Sequence, residues 1–263
     1  TRATTPASAK KPPTAPKSRN PTPNPTAGSA AATLRPPSPP SSPATRPVRS
    51  VGTRAAAAAT ASAEDARELA AWLSYDRGVD ASALAFKEGA NGTMQVTLTK
   101  DVDAGEVVFR APQDVAVTSV DVAEHPIVSG LAAGRPELVG LALWLCAERI
   151  KGDAGDWAPY VRTLRANPDA PLFWTSAEDF ALLKGSPIAA DAAGRAQSAQ
   201  EEYESIVAVM KADPSAYPPE AYEFLTRERF VDALATVCAK ATWLPTASCY
   251  AMVPLLDLIE ICG

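Results

Sequence analysis

Tyr250-Ala251-Met252-Val253-Pro254-Leu255-Leu256-Asp257-Leu258-Ile259 is the stretch on which the fold turns. A nearly continuous apolar run of this length marks a strand or turn buried on both sides. One carboxylate, Asp257, interrupts it. Upstream, Met94 to Thr99 (MQVTLT) alternates with the period of two that a half-buried strand shows. Asp103-Ala104-Gly105 is a turn signal, Glu106 to Arg110 (EVVFR) reads as a second strand, and Val115 to Val117 as a third short one. The chain is therefore expected to open with hairpin-like β-structure and to return to buried extended structure near its end.

Between these segments the pattern is helical. A first helix is predicted over Ala63–Tyr75, with Leu69, Trp72 and Leu73 on one face and Gly78 just beyond. Glu137 to Ile150 places Leu138, Leu141, Trp144 and Leu145 at helical spacing and is apolar enough for a deep core position. Trp157, Tyr160, Val161 and Leu164 form a short amphipathic helix, and Thr175-Ser176-Ala177-Glu178 offers a capping box for one that Gly185 ends. A long, mostly polar helix spans Ala189–Lys211, and Thr226 can cap another from Arg227 to about Ala241. Strands, then helices, then buried extended chain is an α+β pattern; a doubly wound nucleotide-binding fold would alternate.

Charge divides the chain more sharply than its net value of -5 suggests. Residues 1 to 63 carry nine Lys and Arg and no Asp or Glu, so 16 basic residues face all 30 acidic ones in the remainder, a balance near -14. Thirteen of the 25 prolines fall between Pro6 and Pro47. A segment of Pro, Ser, Thr and Ala cannot bury enough surface to offset its ordering entropy, so residues 1 to 60 are expected to be disordered. Basic, hydroxyl-rich and acid-free is the composition of an organelle transit peptide. A Pro-rich linker and a basic nucleic-acid arm are the alternatives; scattered charges without interleaved aromatics disfavour the arm.

Several chemistries are excluded by residue supply. His125 is the single histidine, which leaves no Ser-His-Asp triad, Cys-His pair or His-ligated metal centre in view. His125 precedes Pro126 in an expected loop. The four cysteines, at 146, 238, 249 and 262, show no CxxC pair or metal spacing and read as buried or incidental thiols of a reducing compartment. No apolar run approaches the roughly 20 residues that span a bilayer, so a soluble protein is expected. Gly89-Ala90-Asn91-Gly92 precedes a strand, not a helix, which argues against a phosphate loop.

Three stretches in order carry a resemblance. They are Lys100 to Val108 with Pro112; Trp157-Ala158-Pro159-Tyr160 with Leu172-Phe173-Trp174 and Leu182 to Gly185; and Val253 to Ile259. Together they resemble the SET-domain protein-lysine methyltransferases, in particular the plant and algal subgroup of Rubisco large-subunit and aldolase methyltransferases. The resemblance implies a β-rich SET core split by a helical insertion. Residues 61–125 would form the first part of the core, 126–241 the insertion and 242–263 the start of the second part, C-terminally truncated. It also implies S-adenosyl-L-methionine as methyl donor, a protein substrate such as a stromal enzyme (Rubisco or aldolase), and no metal, nucleic acid or membrane partner. Catalysis in such a site is mainly positioning of a neutral amine in line with the sulfonium methyl.

Position by position, the Pro-Leu-x-Asp-Leu motif is intact, which makes Asp257 the cofactor-side residue. The family's Arg falls on Lys240, which keeps charge but not the planar fork. The Glu-Gly-Leu-Gly cofactor loop falls on Gly92-Thr93-Met94-Gln95; Gly92 and Met94 are its candidate cofactor contacts, and the acidic partner is lost. Glu260-Ile261 replace an Asn-His pair, and no position matches the catalytic Tyr, so weak cofactor binding and weak or absent activity are expected. Asp257 could instead be a buried carboxylate bonding only backbone, and Lys240 a solvated helix end. A non-catalytic interaction module is the rival reading, and the chloroplast stroma the expected location.

Overall fold

A computed structural model describes residues 61–89, 94–165 and 181–259, all within one compact unit. The leader, Gly92, the helix start at Thr175, Phe173 and Trp174 lie outside these residues.

Helix α1 (Ala63–Asp76) begins at a reciprocal cap: Asp65 N donates to Ser62 Oγ at 3.0 Å and Ser62 N to Asp65 Oδ2 at 3.2 Å. Its buried stripe is Ala66, Leu69 and Leu73. Gly78 then turns the chain out at φ +64°, a conformation costly for any residue with a Cβ. Strands β1 (Leu84–Glu88) and β2 (Met94–Leu98) form an antiparallel hairpin with Phe86 opposite Val96. Arg67 of α1 donates to the Phe86 carbonyl at 2.9 Å, which fixes the hairpin against the helix.

The hairpin differs from the one predicted. Met94 pairs with an upstream strand, and Glu106–Arg110 is not a strand. Glu106 is occupied in the turn: its N–H donates to the Asp103 carbonyl, its carboxylate accepts from Asp103 N at 3.2 Å, and Lys100 pairs with it at 3.2 Å. Val107, 55% exposed, has no apolar face to bury, so alternation alone finds no sheet to join. The third strand is shifted as well: Gln113–Val115 is a 3-10 turn, and β3 is Val117–Thr118.

Thr118 and Asp121 cap a short helix α2 (Ser119–Glu124), followed by α3 (Ser129–Ala132). Helix α4 (Glu137–Lys151) is buried from Val139 through Glu148, as its all-round apolarity requires. Helix α5 (Ala158–Thr163) follows. Helices α6 (Ile188–Ala212) and α7 (Arg227–Lys240), the latter capped by the Thr226 hydroxyl, complete the helical part. Arg149 of α4 ties this part together by pairing with Asp232 and donating to the Leu164 carbonyl at 2.8 Å and Thr236 Oγ1 at 3.3 Å.

The opening decapeptide supplies the central strand of the second sheet. β5 (Cys249–Met252) lies between β3 and β4 (Thr242–Leu244), antiparallel to both. Ala251 and Met252 are fully buried, and Tyr250 points outward against Trp243. Val117 thus pairs with Met252 although the helices lie between them in sequence. The architecture is α+β.

Candidate functional site

Past β5 the chain leaves the sheet through Leu255, whose φ is +68°, and closes a 3-10 turn over Leu256–Leu258. A leucine in the left-handed region is strained and persists only where its surroundings demand it. Here Leu255 and Leu258 are buried in the core, and the turn between them brings Asp257 to the side of a cleft of about 460 Å³.

Three separate parts of the sequence line this cleft. β2 contributes Met94 through Leu98, the end of α7 contributes Lys240, and the final turn contributes Asp257, Leu258 and Ile259; Leu84 and Val108 add apolar wall. Met94, Lys240 and Asp257, singled out above on three distant motifs, therefore meet at one site. Gly92, the fourth residue singled out, lies outside the described residues. Val108 reaches the cleft, whereas its neighbour Val107 faces solvent.

Lys240 and Asp257 are the ionisable pair among the lining residues, and they touch in an unusual way. The Lys240 ammonium donates to the backbone carbonyl of Asp257 at 2.8 Å. Of the carboxylate, Oδ2 accepts from the hydroxyl of Tyr160 at 2.9 Å, while Oδ1 is withdrawn from solvent with no hydrogen-bond partner among the described residues. Burial pushes the Asp257 carboxyl up to about 7, with Lys240 and the Tyr160 hydrogen bond pulling against it. Tyr160 is fully buried, and the same withdrawal from water, with Asp257 beside it, holds its hydroxyl well above the usual phenol range.

Residue-by-residue reading of the sequence missed Tyr160. It was visible as part of Trp157-Ala158-Pro159-Tyr160, but its partner stands at position 257, beyond the reach of any local pattern. Helix α5 is short and begins with Pro159 in its first turn. Trp157 just before it packs edge-on against Trp144 at 5.8 Å and tilted against Trp72 at 5.7 Å. Arg77 lies over both Trp72 and Trp157, 5.1 and 5.2 Å from the ring centres. These contacts fix the start of α5 and hence the direction of Tyr160.

His125 is a structural residue. Its Nδ1 accepts from the N–H groups of Ile127 and Val128, which leaves Nε2 to donate to Glu148 at 3.3 Å in the core. Among the described residues no group of three or more His, Cys, Asp or Glu is arranged to hold a metal ion, and no helix is long and apolar enough to cross a membrane.

No protein-family model matches the chain. It is 26% identical over 200 residues to an actin-histidine N-methyltransferase of Danio rerio, covering 73% of this chain and 33% of the relative. It is 26% identical over 148 residues to the N-lysine methyltransferase setd6 of Danio rerio, covering 52% and 31%. The chain thus spans about a third of the length of the curated relatives it matches. Among solved structures it is similar to the SET domain of LSMT bound to lysine and AdoHcy, with a TM-score of 0.64 and 18% identity over 76% of this chain and 44% of that one. Rubisco LSMT bound to sinefungin and monomethyllysine gives a TM-score of 0.61 at 18% identity, over 74% and 44%. Hairpin, helices and returning sheet together have the fold of the SET-domain protein methyltransferases.

Proposed function

We propose that this chain is part of a protein N-methyltransferase that takes S-adenosyl-L-methionine into the cleft beside Asp257 and modifies lysine. The observation that carries the reading is the convergence of Met94, Lys240 and Asp257, distant in sequence, on one cleft. Its volume lies within the range of small-molecule sites, and its walls are mostly apolar with a few fixed polar groups.

The residues present fit this cofactor. Its amino-acid end is a zwitterion, and the cleft offers one cation and one anion. Lys240 uses one of its three donors on the Asp257 carbonyl and keeps two for a carboxylate. Asp257 Oδ1, withdrawn from solvent and without a partner among the described residues, would accept from an ammonium that reached it. Leu84, Val96, Leu98, Leu258 and Ile259 give the apolar wall against which a purine can lie and from which water is displaced. The bound cofactor would supply an electrophilic methyl group; the chain's own residues hold and orient its non-reacting end. Since Glu260-Ile261 stand where the resemblance expects Asn-His, slow transfer is expected.

Two tests bear on this. Calorimetry with S-adenosylmethionine should give saturable binding that Asp257→Ala abolishes; absence of saturable binding overturns the reading. Incubation with methyl-labelled donor and stromal proteins should then yield labelled Nε-methyllysine on hydrolysis. Methylhistidine is a second reading, favoured by the actin-histidine relatives, and capture of a protein without label would favour a binding module. The basic, acid-free leader supports delivery to the chloroplast stroma. A fluorescent protein carrying residues 1–60, with an initiating Met, should enter chloroplasts; retention in the cytosol would overturn that part.

A further inference from the structure

The turn that carries Asp257 is held by two groups from outside it. From α5 the Tyr160 hydroxyl donates to Asp257 Oδ2 at 2.9 Å, and from the end of α7 the Lys240 ammonium donates to the Asp257 carbonyl at 2.8 Å. Its own backbone bonds are long. Asp257 N donates to the Val253 carbonyl at 3.3 Å, Leu258 N to Leu255 at 3.1 Å and Ile259 N to Leu256 at 3.2 Å, against a usual value of about 2.9–3.0 Å. The turn also begins at Leu255 with φ +68°, a conformation that a leucine adopts only under constraint. It therefore depends on its outside holds. Tyr160 is suited to that part: it is fully buried, its ring lies 6.2 Å from that of Trp157, and its carbonyl accepts from Thr163 Oγ1 at 2.7 Å. Tyr160 does not line the cleft, whereas Lys240 and Asp257 do.

We propose that Tyr160 is a positioning residue for the cleft: by anchoring the Asp257 side chain it fixes the carbonyl that orients the Lys240 ammonium, and so sets the affinity of the cleft for a ligand carboxylate. This rests on the function proposed above and extends it to a residue of the helical stretch that touches no ligand. Lysine alone is poorly placed to recognise a carboxylate, since its ammonium is a point donor on a flexible four-carbon stem. Committing one N–H to a fixed carbonyl leaves the other two in a set direction. That carbonyl is fixed only as well as the turn, and the Asp257 side chain is where α5 grips the turn. Without the hydroxyl the grip is lost and the turn relaxes. Lys240 then keeps its charge but not its direction.

The experiment is calorimetry of the full chain with S-adenosylhomocysteine and with its decarboxylated analogue, S-adenosyl-3-thiopropylamine, which keeps the nucleoside, thioether and ammonium. The readout is the ratio of the two affinities, because contacts common to both ligands cancel in it. The unaltered chain should prefer S-adenosylhomocysteine by about tenfold, the worth of one charge-assisted hydrogen bond. Lys240→Met should abolish the preference, and Tyr160→Phe should cut it to about twofold or less. Adding Tyr160→Phe to Lys240→Met should change the ratio no further, since one residue acts through the other. A merely structural Tyr160 would weaken both ligands alike and leave the preference intact, which would overturn the proposal. So would a preference that Lys240→Met leaves unchanged. Should Tyr160→Phe fail to fold, Tyr160→4-aminophenylalanine, which keeps the ring with a weaker donor, takes its place: a reduced preference upholds the proposal and an unchanged one overturns it. Saturable binding with no preference in the unaltered chain overturns this inference and leaves the proposed function standing; no binding of either ligand overturns both.

Discussion

Among the described residues two carboxylates, Glu148 among the helices and Asp257 beside the cleft, each have one oxygen withdrawn from solvent without a hydrogen-bond partner. Glu148 has two donors on one oxygen: Lys151 donates to its Oε1 at 2.5 Å and the His125 ring N–H at 3.3 Å. Burial pushes its carboxyl up, but those two partners outweigh it and hold it below its usual range. Asp257 meets a neutral phenol instead, with its nearest cation turned to a backbone carbonyl, and burial wins. The same desolvation thus ends with opposite sign. Glu148 is balanced internally and serves the fold, whereas Asp257, in a residue that lines the cleft, has no cation on its carboxylate oxygens among the described residues. An unbalanced buried charge beside a cavity is the more informative sign of a binding site.

The comparison breaks most visibly at Glu148. Glu148→Ala leaves the buried His125 ring N–H without its acceptor, while Lys151 can turn to water, and should cost up to about 3 kcal/mol in urea unfolding at pH 7. In the unaltered chain this contribution is present above the usual glutamate value of 4.5 and lost as pH falls through the lower folded value.

At Asp257 the sign reverses. Its folded carboxyl is raised from 3.8 to about 7, so stability should fall as pH climbs between those values. Asp257→Asn should flatten that slope and stabilise the protein at pH 8 by about 2 kcal/mol, the relief of ionisation less the altered Tyr160 contact. A mutant less stable than the parent at pH 8 would contradict the contrast.

Lys240→Met sharpens the same point at smaller scale. Loss of its bond to the Asp257 carbonyl should cost about 1.5 kcal/mol. Because Lys240 pulls the carboxyl down, the Asp257 midpoint should rise, visible in the pH dependence of unfolding. As the smallest effect, Arg195→Ala removes an exposed helix pair with Asp191 and should change stability by no more than about 0.5 kcal/mol.

Much of this was legible along the chain where the deciding physics is local. The α4 and α7 boundaries follow from periodicity and, for α7, from the Thr226 cap. The 250–259 run reads as buried because apolar side chains without alternation have few other places to go. The strand Leu84–Glu88 was not legible, since Leu, Ala, Lys and Glu are also good helix formers and only pairing with β2 decides between the two. Conversely, Glu106–Arg110 alternates like a strand but has its first residue engaged in a turn. The site divides the same way. Asp257 stands out as a lone charge in an apolar run, and family resemblance pointed to Met94 and Lys240. The Tyr160 contact depends on the packing of three tryptophans and an arginine and leaves no local trace.

The central claim is that the cleft between Met94–Leu98 and Asp257 receives the amino-acid end of a methyl donor. A crystal structure with S-adenosylhomocysteine tests it directly. The account predicts the ligand ammonium on Asp257 Oδ1, its carboxylate near Lys240 and its purine against the β2 wall. Ligand seated elsewhere, with Asp257 Oδ1 unchanged, would contradict it.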